Sequence, residues 1–397
     1  MRGDAAKQMK SRYNTILRRL FLFMSCFTLL YFFVFSESYS RFEASGSGSG
    51  EKHNQSDGNG YQGEAIQTGG RVQKLLPCGI PVGIYLETKG ILVTEVTAVT
   101  ASDGSTLTPC SGILEAGDYI LEANQQEITS KEQFRDMVKE SRGKNIKLTI
   151  EHDGKQRKAT IQPVLADSRE YIAGLWIRDN MHGIGTLTWL DENGSFAALG
   201  HCISDIDTGT LMEIDRGQLY HAEIYSLVKG NADQPGSLAG AIDYRIRSCI
   251  GTVDKNTEQG VFGSGNSEIR NLIVERLSSY YQRNSFHELW EQAALEVAAA
   301  DEIQDGKAQM LNCFNGECLL YDIEIRKISG NENGYENINL EITVTDNSLL
   351  AQTGGILQGM SGSPILQNGK LVGAVTHVLV NDPTEGYGIF IENMLEH

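Results

Sequence analysis

At 397 residues the chain is long enough for two or three domains with a sizeable core, and its formal charge is −17. Six of its 34 bases but only one of its 51 acids fall in the first nineteen residues, so the remainder carries −22. An acidic body of this kind repels phosphate backbones, and no nucleic-acid partner is expected.

The six early bases (Arg2, Lys7, Lys10, Arg12, Arg18 and Arg19) lead directly into Leu20–Phe35, sixteen residues without a charge. A basic flank keeps the N-terminus in the cytoplasm and sends the rest outward. A span needs about 20 apolar residues, and Ile16, Leu17 and Ser36 extend the run toward that length. The competing reading is a cleaved signal peptide, but Ser36-Glu37-Ser38 matches a small-residue cleavage site poorly. Residues 1–36 are therefore read as a cytoplasmic tail and single-pass membrane anchor. Residues 37–75 follow as a flexible linker, marked by Ser-Gly-Ser-Gly-Ser-Gly at 45–50 and by polar Gly, Asn and Gln beyond it.

From 76 to 166 the pattern turns compact and β-rich. Gly90–Val96 is an apolar strand, and Ser130 caps a helix on which Phe134, Met137 and Val138 share a face, with Gln133 completing a capping box. Ile146, Leu148 and Ile150 alternate, Asp153-Gly154 turns, and Ala159 and Ile161 alternate back. The segment Gly112-Ile113-Leu114-Glu115-Ala116-Gly117-Asp118-Tyr119-Ile120-Leu121 resembles the core motif of PDZ domains, and the single helix falls where that family places its groove helix. Such domains bind a peptide by adding it as a strand. The resemblance makes Val82-Gly83-Ile84 the candidate peptide-binding loop, although it departs from the family's Gly-Leu-Gly-Phe pattern.

The block from 170 to 397 repeats short strands and glycine turns: Tyr171–Arg178, Gly183–Leu190, Phe196–Ile203, Gly236–Asp243, Ile246–Val253, Leu319–Ile328 and Ile338–Val344. That spacing predicts a β-sandwich or a pair of barrels. Two helix-leaning stretches, Ile269–Tyr281 and Phe286–Ala299, interrupt it as an insertion over 268–300. The seven cysteines have no disulfide-framework or zinc spacing and read mainly as small buried residues, with Cys313 and Cys318 placed to face each other across a hairpin. Neither a metal nor another cofactor is expected.

The chemistry concentrates in Gly359-Met360-Ser361-Gly362-Ser363-Pro364, followed by two apolar runs around Asn368-Gly369, a strong hairpin signal. Ser361 thus sits on a glycine-flanked turn with an exposed hydroxyl, and the Gly359 and Ser361 N–H groups are placed to form an oxyanion hole. A nucleophilic serine needs a base. His201 in Gly200-His201-Cys202 follows an apolar strand, while His377, on the returning hairpin strand, is better placed to line the substrate cleft. For the carboxylate that orients the imidazole, Asp346 ends a strand fifteen residues before Ser361. Asp205 and Asp207 look like Asx-turn residues, and Asp243 is an outside candidate. An α/β-hydrolase is disfavoured because Ser363 stands where its nucleophile motif needs glycine.

Gly200-His201, the Ser-Asp-Ile-Asp-Thr-Gly run, Lys255-Asn256-Thr257, and the stretch from Gly354 through Ser361 to Ala374-Val375-Thr376-His377-Val378 together resemble the family of stage IV sporulation protein B, PDZ-bearing serine peptidases of endospore formers. The order of anchor, PDZ domain and peptidase is similar too. The resemblance implies a mostly β chain with a chymotrypsin-like double β-barrel and a catalytic set of His201, Asp346 and Ser361. It further implies a forespore-membrane protein whose catalytic domain lies in the intermembrane space. There such proteins cleave the extracytoplasmic part of a membrane-bound regulator of an intramembrane metalloprotease complex, which activates a mother-cell sigma factor. Self-trimming in the N-terminal linker would release the domain. One departure stands out: trypsin-like chains carry their aspartate far ahead of the serine, within the first barrel. The other reading is a PDZ adaptor with an inactive peptidase-like domain, which would keep its function after Ser361→Ala.

Overall fold

A computed structural model describes residues 73–328 and 338–396. The expected anchor, and the linker up to residue 72, lie outside the described residues. Among the described residues no helix is long and apolar enough to cross a membrane.

The chain enters on a 23-residue strand, β1 (Lys74–Val96), in which every residue from Leu75 to Ile84 is buried. Continuous burial of this kind requires cover on both faces of a strand. After β1 come β2 (Tyr119–Ala123), α1 (Lys131–Glu140), β3 (Ile146–His152) and β4 (Lys155–Ile161). The cap of α1 forms as its sequence dictates. Ser130 Oγ accepts from the Gln133 N–H at 3.2 Å, and the Gln133 side chain accepts from the Thr129 N–H at 3.0 Å. Phe134 and Val138 then bury against Ile91, Val93, Ile120 and Ile150.

Six strands build the first barrel: β1, β5 (Leu175–Leu190), β6 (Ser195–Ala198), β7 (Ile214–Val228), β9 (Cys249–Thr257) and β10 (Gly260–Gly265), with β8 (Gly236–Ile242) added outside β7. β1 pairs with β5 along one edge and β7 along the other, and the run β5-β6-β10-β9-β7 closes the ring. The second barrel closes in the order β11 (Gly306–Asn312), β12 (Leu319–Lys327), β13 (Leu340–Val344), β16 (Glu385–Phe390), β15 (Lys370–Val378) and β14 (Pro364–Gln367). A disulfide joins Cys313 to Cys318 across the β11–β12 turn. The hairpin between β14 and β15 turns at Asn368 and Gly369, both with positive φ (53° and 77°).

The insertion is helical, as expected, in α2 (Ser267–Tyr281) and α3 (Phe286–Ala293). Ile269, Leu272, Ile273, Leu277 and Leu289 pack onto the first barrel, each burial contributing roughly 2 kcal/mol. The second helix ends at Ala293 rather than Ala299, because residues 295–296 pair with the start of β1. Two short helices, α4 (Asn347–Thr353) and α5 (Ile391–Leu395), complete the described chain.

The expected PDZ boundary at 76 falls inside a single continuous strand. β1 belongs to the barrel as far as Thr88 and only then enters the PDZ sheet, where Ile91 and Leu92 pair with β2. This overturns Val82-Gly83-Ile84 as a peptide-binding loop. All three are buried, with Val82 opposite both Gly185 and His221, so neither edge is open to a ligand strand.

Candidate active site

Ser361 lies on the turn leading into β14, and that turn is fixed by the opposite barrel. Thr186 of β5 is fully buried. Its hydroxyl donates to the Gly359 carbonyl at 2.8 Å and its N–H donates to the Ser361 carbonyl at 3.0 Å. From the other side, the Gly362 N–H donates to the Val375 carbonyl at 2.7 Å, and Asn312 Nδ2 donates to Ser363 Oγ at 2.7 Å. Gly362 has φ +96°, and a Cβ there would stand 2.2 Å from the Thr186 carbonyl oxygen. Only glycine fits between the nucleophile turn and β5.

The His201 turn is tied to the same residue. The Leu199 N–H donates to the Thr186 carbonyl at 3.2 Å. Leu199 and Gly200 both adopt left-handed backbone, φ 73° and 74°. A bulky residue held there stores strain of about 1–3 kcal/mol, of the kind found at functional sites. The double reversal sends His201 off the end of β6 toward Ser361. Thr186 therefore sets the spacing of both turns, a role that no sequence motif announces.

His201 and Ser361 line one cavity of about 450 Å³, with Gly359 and His377 on its wall. The wall draws on both barrels: Ile84 and His182 come from the first, Thr376 and Val378 from the second. The His201 and His377 rings lie 4.9 Å apart, centre to centre. Ser361 Oγ donates to the Thr376 carbonyl at 2.5 Å, and His201 Nδ1 meets the Cys202 carbonyl at 2.7 Å. A carbonyl can only accept, so Nδ1 carries the hydrogen and Nε2 of the neutral ring keeps its lone pair. Burial lowers the His201 pKa, opposed by the Cys202 carbonyl and the charge of Glu258. His377 is pushed down to about 4, first by burial and then by the charge of His201. Burial thus favours the neutral form of both rings.

The structure thus brings together His201, Ser361, Gly359 and His377, and places the aspartates elsewhere. Asp346 is the N-cap of α4: one carboxylate oxygen accepts from the Leu349 N–H at 2.8 Å and the other from the Asp322 N–H at 3.4 Å. It is not in the cavity wall, and the His201 nitrogen that an orienting carboxylate would hold is on Cys202. Asp205 does form an Asx turn, accepting from the Asp207 and Thr208 N–H groups, and its second oxygen pairs with Arg178 at 2.6 Å. Asp243 is bound by Arg245 and Ser248, which hold its carboxyl well below the usual range. The acid whose charge acts on His201 is Glu258, which accepts from Cys202 Sγ at 3.4 Å; nothing in its sequence context singled it out.

The family model for SpoIVB peptidase S55 matches residues 169–395, and that for the PDZ domain matches residues 79–162. Among solved structures, the PDZ domain of the SdrC-like protein from Listeria monocytogenes is similar at 23% identity, over 22% of this chain and 87% of that one, with a TM-score of 0.19. The HtrA-type protease AlgW with a decapeptide is similar at 11% identity, over 62% of this chain and 53% of that one, with a TM-score of 0.29. The Rv3671c protease of Mycobacterium tuberculosis, in its inactive form, is similar at 12% identity, over 54% of this chain and 81% of that one, with a TM-score of 0.26. No curated protein matches the chain. With TM-scores this low, the fold assignment stands on the chain's own strand pairings and on the two family models.

Proposed function

Since the chain belongs to the SpoIVB peptidase S55 family, and is by that a serine endopeptidase carrying a PDZ domain, we propose that it acts in sporulation signalling. Its substrate is the extracytoplasmic part of a membrane-bound regulator that restrains an intramembrane metalloprotease, and it also trims its own N-terminal segment. The early basic cluster and the uncharged run at 20–35 support an anchored protein with its peptidase outside the cytoplasm.

The observation that carries the reading is the shared cavity of His201 and Ser361, with both turns fixed through Thr186. Ser361 turns its hydroxyl from Thr376 toward His201 Nε2, which takes the proton as Oγ attacks the scissile carbonyl. The Gly359 and Ser361 N–H groups receive the developing oxyanion, and His201 then protonates the leaving amine. Water repeats the sequence on the acyl-enzyme. In the resting geometry the Cys202 carbonyl supplies the tautomer control that a carboxylate gives in a Ser-His-Asp triad.

The test is to express the full chain in membranes, with and without Ser361→Ala. N-terminal fragments are followed by mass spectrometry and Ser361 is labelled with a fluorophosphonate. Cleavage and labelling confined to the unaltered protein are expected. Equal fragmentation of both, with no labelling, refutes the peptidase assignment for Ser361 and leaves the scaffold reading.

A further inference from the structure

A positive charge forms on His201 each time Ser361 gives up its proton, and the Cys202 carbonyl that holds Nδ1 offers a dipole but no counter-charge. A carboxylate on that nitrogen supplies orientation and charge together. The aspartates weighed from the sequence are engaged elsewhere: Asp346 in its helix cap, Asp205 and Asp207 with Arg178, and Asp243 with Arg245. Glu258, by contrast, already reaches the His201 turn through Cys202 Sγ, at 3.4 Å.

The fold holds Glu258 there from both sides. Glu258 and Gln259 form the tip of the β9–β10 hairpin, closed by the pair Thr257 and Gly260. β10 lies beside β6, with Val261 opposite Ala198, so the tip and the His201 turn leave the same end of the first barrel. Before the tip, the Asn256 side chain accepts from the Ile203 N–H at 2.8 Å and donates to the Ile203 and Met212 carbonyls at 2.8 and 3.0 Å. After it, Gly260 has φ +143°, and a Cβ there would stand 2.9 Å from the Ala198 carbonyl oxygen and 3.4 Å from the Gly200 nitrogen. The two anchor points thus bracket His201 and Cys202 in the facing loop. Thr257 Oγ1 braces the tip by accepting from the Gln259 N–H at 3.3 Å. Glu258 itself is exposed and forms no salt bridge among the described residues, which leaves its carboxylate available.

We propose that Glu258 is the positioning carboxylate of the peptidase site, taking the Nδ1–H of His201 over from the Cys202 carbonyl as the ring is protonated on Nε2. The assignment rests on the peptidase reading of His201 and Ser361. Cys202 offers both ends of the exchange, its thiol touching the carboxylate and its carbonyl touching Nδ1, so the move stays within one residue. No proton changes owner in it: Nδ1 keeps its hydrogen throughout, and the proton from Ser361 travels on Nε2 to the leaving amine. The charge of Glu258 already acts on the ring, raising the His201 pKa against burial. The acid then lies in the first barrel, and His201, Glu258 and Ser361 follow one another in the order histidine, acid, serine of trypsin-like chains. Asp346 is left to its helix.

The test is the rate of fluorophosphonate labelling at Ser361 in the full chain, followed against pH for the parent, Glu258→Gln and Glu258→Asp. Glu258→Gln should melt with the parent yet label about a hundredfold or more slowly, toward the ~10⁴ loss that follows when a triad acid becomes its amide. Its acid midpoint should move to lower pH, because the charge that raises the His201 pKa is gone. A loss of packing alone leaves that midpoint in place. Glu258→Asp keeps the charge on a shorter arm, so it should hold the parent's midpoint and recover part of the rate. A folded Glu258→Gln protein that labels within a few-fold of the parent overturns the proposal and leaves the peptidase assignment standing. So does a slow Glu258→Gln protein with an unmoved midpoint whose rate Glu258→Asp does not recover. Failure of the parent chain itself to label overturns the proposal together with the peptidase reading beneath it.

Discussion

Replacing Asp346 separates two roles whose consequences differ by orders of magnitude. Its carboxylate caps α4 through the Leu349 N–H and accepts from the Asp322 N–H. Asp346→Ala removes both acceptors, and loss of an N-cap costs about 0.5–2 kcal/mol. For a cooperative unit of this size that lowers Tm by about 1–3 °C, scaling from about 2.1 cal/mol/K per residue. Asp346→Asn keeps an oxygen in place and is nearly as good a cap, giving up only the helix-dipole share of about 0.3–1 kcal/mol. The Asn variant should therefore fold, melt within a degree or two of the parent, and cleave or label within a few-fold of its rate. An orienting carboxylate behaves otherwise: its amide replacement leaves the fold intact but selects the wrong imidazole tautomer, at a cost of about 10⁴ in kcat. Melting by differential scanning fluorimetry together with fluorophosphonate labelling decides it. A folded Asp346→Asn protein with activity down a thousandfold or more refutes the capping account.

Thr186→Val leaves the Gly359 carbonyl without its hydroxyl partner, and should cost about 1–3 kcal/mol of stability and lower kcat with KM little changed. Thr186→Ser should restore kcat; equal failure of Ser and Val would show that shape, not the hydroxyl, matters. Activity should fall in acid as His201 takes up a proton and can no longer accept one from Ser361. Because burial lowers the His201 pKa in the fold, the midpoint should lie below the ordinary value of about 6.5, and a midpoint above 7 counts against His201 as base. Stability follows the same sign, being complete above about pH 6.5 and declining as pH falls, because the unfolded chain binds the proton first. Reduction of Cys313–Cys318 should lower Tm by about 3 °C, from about 2 kcal/mol of loop-closure entropy for so short a loop. An unchanged melting curve after verified reduction contradicts that.

Much of the chemistry was legible because it is local. The Asn368-Gly369 hairpin, the glycines around Ser361 and the Ser130–Gln133 capping box each write their geometry into neighbouring residues. The misread features depend on distant partners. Leu75–Leu86 looks like any buried strand, and only its pairing with residues 181–190 and 217–221 shows that it belongs to a barrel. Asp346 ends a strand near Ser361, which suggested the base-orienting role. Yet Asp followed by Asn-Ser-Leu-Leu-Ala-Gln-Thr and closed by Gly354 is also a helix with its cap and stop, and that local signal prevailed. Thr186 left no trace, since a threonine in an apolar strand carries no signal of which carbonyls it will meet.

The continuity of β1 bears on how the chain reaches its fold. Val82 needs Gly185, 103 residues later, and His221, 139 residues later, before either edge is satisfied. Pairings of such long range form slowly. Until residue 221 has emerged, the apolar stretch from Leu75 onward is an unpaired sticky edge. A chain made N-terminus first must therefore shield this stretch until residue 221 has been added. By the same logic, excising the PDZ region removes most of β1, so a deletion of that kind would report collapse of the first barrel rather than loss of a binding module.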